Sequence, residues 1–108
     1  MNTRTMTALY EYAEKNDTGA PMNWGDLTRQ MGVSVLAISG GRHFTHKSTT
    51  IFPVSNGYYV TVTLTAADDY TVRLIFVRSG KIYVHEEATG IYAGEIGEAA
   101  YEASCFAA

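Results

Sequence analysis

The stretch Tyr58-Tyr59-Val60-Thr61-Val62-Thr63-Leu64, echoed at Thr71-Val72-Arg73-Leu74-Ile75-Phe76-Val77 and at Ile82-Tyr83-Val84, decides the fold. Tyr58, Val60, Val62 and Leu64 alternate with Tyr59, Thr61, Thr63 and Thr65, the period of two that marks a half-buried strand. Val72, Leu74 and Phe76 continue the apolar face, alternating with Thr71, Arg73, Ile75 and Val77, and Ile82 and Val84 make a further strand. Asn56-Gly57 is the strongest hairpin signal in the chain. From Thr49 onward the pattern is an antiparallel meander.

Loop lengths follow from matching faces, because a slip of one residue turns a whole apolar set outward. A loop at Ala66-Ala67-Asp68 pairs Leu64 with Tyr70, Val62 with Val72 and Val60 with Leu74. A three-residue loop at Arg78-Ser79-Gly80 puts Phe76 opposite Ile82 and Leu74 opposite Val84, with Gly80 in the left-handed position of a bulge. A two-residue loop would instead put Phe76 opposite Tyr83 and Leu74 opposite His85. The three-residue loop is preferred, and it sets Tyr59, Ile75 and Tyr83 in one row on the second face, with Thr61, Arg73 and His85 in the next.

Outside the meander, Met6, Leu9, Tyr10 and Ala13 form an apolar helical stripe that should end before Asp17-Thr18-Gly19-Ala20-Pro21. A short helix is expected from Trp24 to Met31, capped by Asn23, and a buried strand from Val33 to Ile38. Ile96, Ala99, Ala100, Ala103 and Phe106 line one side of a C-terminal helix whose other side carries Glu95, Glu98 and Glu102. The expected architecture is α+β in one domain spanning residues 1–108: an N-terminal helix plus a short helix, a meander of four to five strands, and a C-terminal helix packed on the sheet.

Composition narrows the function classes. The 108 residues are 46% hydrophobic and 18% charged, with 8 Lys and Arg against 11 Asp and Glu for a net charge of −3. This is a chain able to bury its own core and not a disordered tail. The acidic balance argues against bulk DNA binding. The single Cys105 cannot form an internal disulfide, and no apolar run is long enough to span a bilayer. A cytoplasmic location with no membrane partner is expected.

No catalytic constellation stands out. His43 and His46, with His85, could in principle hold a metal, but no Cys or close carboxylate accompanies them, and Arg42 and Lys47 would repel a cation. Cys105 lies at the electronegative end of a helix, which raises a thiol pKa. Asp68-Asp69 falls in a hairpin turn, where Asp serves the backbone, and Glu86-Glu87 point to opposite faces of a strand. Gly40-Gly41 lacks the spacing of a phosphate loop. No catalytic residue, metal or cofactor is assigned. Leu27-Thr28 with Met31-Gly32-Val33-Ser34 has the look of a helix-turn-helix turn, but Val35-Leu36-Ala37-Ile38-Ser39-Gly40-Gly41 is poor in helix formers and base-reading side chains.

The residues Val35 to Phe44, Val60 to Thr65, Asp69-Tyr70-Thr71-Val72, Val77-Arg78-Ser79-Gly80 and Gly90-Ile91-Tyr92-Ala93-Gly94-Glu95 together resemble a group of short uncharacterised proteins of tailed bacteriophages and prophages. The likeness covers about two-thirds of the chain, while the part through Trp24 departs by being longer. It implies a phage-borne accessory protein, in the host cytoplasm, and nothing about chemistry. On this basis the chain is expected to be a non-enzymatic interaction protein binding a host protein, anti-defence action included. The expected contact residues are Tyr59, Arg73, Ile75, Tyr83 and His85, where aromatic, cationic and β-branched side chains meet. Whether a terminal helix covers that face is left open. A nucleic-acid module, using the tyrosines as a stacking platform or the helix-turn-helix reading, is the second expectation, and a small metal-dependent enzyme the third. The sheet edge should be Thr49–Val54 or Lys81–Glu87 unless Val33–Ile38 pairs with it. Pro53 protects the former, and Ile82-Tyr83-Val84 leaves the latter open to homodimerisation.

Overall fold

The computed structural model describes residues 3–20, 42–54 and 56–105. Helix α1 spans Thr3–Lys15 and is followed by five strands. These are β1 (Phe44–His46), β2 (Thr49–Pro53), β3 (Tyr58–Leu64), β4 (Tyr70–Arg78) and β5 (Lys81–Ile91). A 3-10 turn at Ala93–Glu95 leads into α2 (Ile96–Cys105). The strands form one antiparallel sheet in the order β1-β2-β3-β4-β5, so each pairs with its neighbours in the chain. The architecture is α+β, and among the described residues one helix lies on each face. The expected helix at Trp24–Met31, the strand at Val33–Ile38 and the helix-turn-helix turn lie outside the described residues, as does Phe106.

Two apolar layers hold the sheet. On one face Phe52, Val60, Val62, Tyr70, Val72 and Leu74 meet Ile96 and Ala100 of α2, with Ala99 and Ala103 partly buried beside them. On the other, Leu9 and Tyr12 of α1 close over Ile51, Tyr59 and Ile75. The C-terminal stripe is therefore as its spacing predicts, and Glu95, Glu98 and Glu102 are exposed. The N-terminal stripe is rotated. Ala8, Leu9, Tyr12 and Ala13 are the buried positions, whereas Tyr10 is exposed and stacks its ring 5.3 Å from Phe44 and 5.0 Å from His46. Tyr12 wins the inward place because its hydroxyl has a buried partner there, Thr61 Oγ1 at 2.9 Å.

The threonine face of β3 is consequently not a wet one. Thr49, Thr61 and Thr63 are buried on this face, Thr49 pairing with Thr63 at 2.8 Å and Thr61 with Tyr12, while Thr50, buried on the opposite face across from Val62, pairs with Thr45 at 2.7 Å. No buried side-chain nitrogen or oxygen among the described residues lacks a partner, so the covered polar face carries no orphan to penalise.

The register of β3 on β4 is the expected one, with Leu64 opposite Tyr70, Val62 opposite Val72 and Val60 opposite Leu74. Asp68 takes a φ of 64°, closing a loop in which Thr65 N donates to the Asp69 carbonyl at 2.9 Å. Two expectations are corrected. The meander starts one strand before the expected Thr49: Phe44–His46 is a strand, so Thr49–Pro53 is interior and the described edges are β1 and β5. The β4–β5 connection has two residues, not three. Arg78 pairs with Lys81, and Ser79 and Gly80 both have positive φ, 53° and 75°, the backbone of a type I′ turn. Its twist suits the flanking strands better than the three-residue loop that face matching favoured.

Candidate interaction surface

The short turn moves Tyr83 to the other face. Phe76 lies opposite Tyr83, Val77 opposite Ile82 and Ile75 opposite Val84. Beyond Val84 the register shifts, so that Leu74 lies opposite Glu86 and His85 is the extra residue of a bulge. The expected row of Tyr59, Ile75 and Tyr83 therefore does not form, nor does the row of Thr61, Arg73 and His85. Tyr59, Arg73 and Ile75 stay together beneath α1, while Tyr83 and His85 belong to the α2 side.

Tyr59 is 8% exposed and Ile75 fully buried, so neither offers a ring or methyl to a partner or a base. Burial pushes the Tyr59 phenol up, against the opposing pull of Arg42. Arg73 ties three elements together. Its Nε donates to Glu87 Oε2 of β5 at 2.6 Å, and its Nη1 donates to Asn16 Oδ1 at 2.9 Å and Tyr12 Oη at 3.3 Å. Burial works to lower the Arg73 pKa, but the bonds to Glu87 and Tyr12 outweigh it and the guanidinium ends above its ordinary value. The cation also sits at the C-terminal end of α1, where the helix dipole favours it. Its role is to dock α1, a job that three acceptors on two other elements suit better than partner binding.

On the α2 side an aromatic group emerges that the sequence reading missed in part. Tyr58 and Phe76 pack with tilted rings at 4.9 Å, His85 meets Tyr58 edge-on at 5.7 Å, and Tyr83 stands across from Phe76. Tyr58 and Phe76 are half-buried, His85 is exposed and Tyr83 is 52% exposed. The helix α2 covers the far half of this face, over Val62, Val72 and Tyr70, and leaves these rings at the hairpin end. The signal for Tyr58 and Phe76 lay in two turns, the one after Leu64, which sets Tyr58 opposite Phe76, and Ser79-Gly80, which sets Phe76 opposite Tyr83.

The histidines keep separate company. His46 Nε2 lies 3.2 Å from Glu14 Oε1, His43 is 6.2 Å from the Phe52 ring, and His85 is with Tyr58. Among the described residues no three His, Cys, Asp or Glu side chains converge on a point. A polar knot follows α1: Gly19 N donates to Asp17 Oδ1 at 3.0 Å, and Ser48 Oγ lies 2.8 Å from the same oxygen. These bonds, the Gly19 amide first, hold the Asp17 carboxyl below its ordinary value. The knot fastens the chain after α1 to the β1–β2 turn. Among the described residues no helix is long and apolar enough to cross a membrane. Comparison of the chain with protein-family models, with curated proteins and with solved structures returns no match.

Proposed function

We propose that this chain is a non-enzymatic interaction protein that binds a protein partner through the rings of Tyr58, Phe76, Tyr83 and His85. The observation that carries the reading is the exposure of Tyr83 beside the packed Tyr58–Phe76 pair, since tyrosine grouped with other rings is a common anchor of protein interfaces. The likeness of the segments from Val35 to Glu95 to short phage and prophage proteins supports an accessory factor acting on a host protein in the host cytoplasm, with anti-defence action as one form of it. The stacking-platform reading loses Tyr59 and Ile75 to α1, so nucleic acid is the weaker alternative.

Capture from host lysate on the immobilised chain tests the proposal. One stoichiometric partner should be retained by the wild type and by Glu98→Ala, whose site lies on the outer side of α2, and lost with Tyr83→Ala or His85→Ala. Equal capture by all four proteins overturns the assignment. Fluorescence anisotropy with single-stranded DNA at low salt tests the alternative, which requires binding that weakens steeply with added salt.

A further inference from the structure

We propose that β5 pairs antiparallel with β5 of a second copy, about a twofold axis at Tyr83. Among the described residues β5 has β4 on one side and no strand on the other, and its residues from Tyr83 through Gly90 are exposed. An edge of this kind offers backbone donors and acceptors to another strand. The choice of occupant rests on charge. Lys81, with Arg78 of β4 opposite it, stands at the first end of the strand, Glu86 and Glu87 towards the other. A strand basic at one end and acidic at the other is complementary to itself only when the two copies run in opposite directions.

The bulge at His85 selects the register. Ile82 and Val84, opposite Val77 and Ile75, face α1, whereas Lys81, Tyr83 and Glu86, opposite Arg78, Phe76 and Leu74, face the α2 side. Centring on Tyr83 puts Ile82 across from Val84 of the second copy, both on the α1 side. It also brings Lys81 to the bulge of the second copy, where Glu86 lies on the same face. Centring on Val84 would oppose Lys81 to Glu87, which the bulge has turned to the other face. The α1 side has room for this arrangement. Ala8 and Tyr12 of α1 and Ile82 of β5 line a groove of about 380 Å³ beside the edge, with Glu11, Lys15 and Lys81 also on its walls, and Val84, 53% exposed, is the side chain the second copy brings to it.

The proposal goes beyond the binding of a partner, and charge exchange tests it separately. Light scattering after size exclusion and native mass spectrometry should give the wild type twice the 11.8 kDa of one chain. Lys81→Glu and Glu86→Lys each place like charges at both contacts and should raise the dimer dissociation constant about tenfold or more. Mixed in equal amounts, the two variants should form a heterodimer, because both contacts then join opposite charges. Both side chains are exposed, and circular dichroism checks that the variants keep the fold. A wild type that stays at the mass of one chain at its highest soluble concentration overturns the proposal. So does a mixture that stays monomeric, or single variants that dimerise as the wild type does. Lys81 and Glu86 lie outside the ring patch, so loss of the dimer and loss of partner capture are read independently.

Discussion

Arg73 donates to Glu87, Asn16 and Tyr12, and each acceptor belongs to a different neighbour of β4: the edge strand, the residue after α1, and α1 itself. Replacing it with alanine removes all three charge-assisted bonds and leaves Tyr12 and Asn16 short of a donor. We expect Arg73→Ala to cost about 2–3 kcal/mol in urea unfolding. Glu87→Ala should cost less, about 1 kcal/mol, because that carboxylate is half in water. Asp17 gives a pH signature. Its carboxyl is held below the ordinary 3.8, so the stability it lends is present above that value and disappears as pH falls through its lower folded-state pKa. Asp17→Asn lacks this component, and its stability should fall less steeply than that of the wild type below pH 3.8. Acid titrations followed by circular dichroism compare the two slopes.

The element most informative about turn chemistry is the β4–β5 hairpin. Ser79 holds a φ of 53° with no glycine to ease it, so Ser79→Asn, a residue better suited to that backbone, should add up to about 1 kcal/mol in thermal melts. Gly80→Ala should cost about 1–2 kcal/mol, because its φ of 75° disfavours any Cβ and the added carbon would lie 2.8 Å from Arg4 Cγ. The same hairpin explains how far the sheet was legible. β3 and β4 registered correctly because Val60, Val62 and Leu64 match Val72, Leu74 and Tyr70 on one side, while Thr61 and Thr63 meet Arg73 and Thr71 on the other. At β5 that contrast fails. Ile75 and Val77 are as apolar as Leu74 and Phe76, so alternation could not tell the faces apart, and the bulge at His85 is invisible to a period of two. Three of the five expected contact residues were placed on one face correctly, but that face is a core. A sheet covered on both sides reads like one covered on a single side whenever threonines, satisfied by one another and by Tyr12, line the second.

At the scale of the whole molecule, stability depends on α1 and α2 docking on opposite faces of the sheet. Leu9 is fully buried against Ile51, Tyr59 and Ile75, and its truncation leaves a cavity in the thinner of the two layers. Leu9→Ala should cost about 3–5 kcal/mol, a large part of the total for a domain of this size, and lower the denaturation midpoint accordingly. Ile96→Ala, the matching truncation under α2, should cost a similar amount, about 2–5 kcal/mol, and the two losses should add, since the sheet separates them. The order of the strands has a consequence for the chain as it is made. Each of the five described strands finds its mate within the next hairpin, so this sheet can close as it emerges from the ribosome. Helix α1 cannot follow that schedule, because Tyr12 must await Arg73, 61 residues later. At about 5–20 residues per second that is a wait of roughly 3–12 s, during which Leu9 can meet Ile51 and Tyr59 but not Ile75. Helix α1 thus settles onto a surface finished long after it, and a nascent chain arrested before Arg73 carries an apolar stripe that β4 has yet to cover.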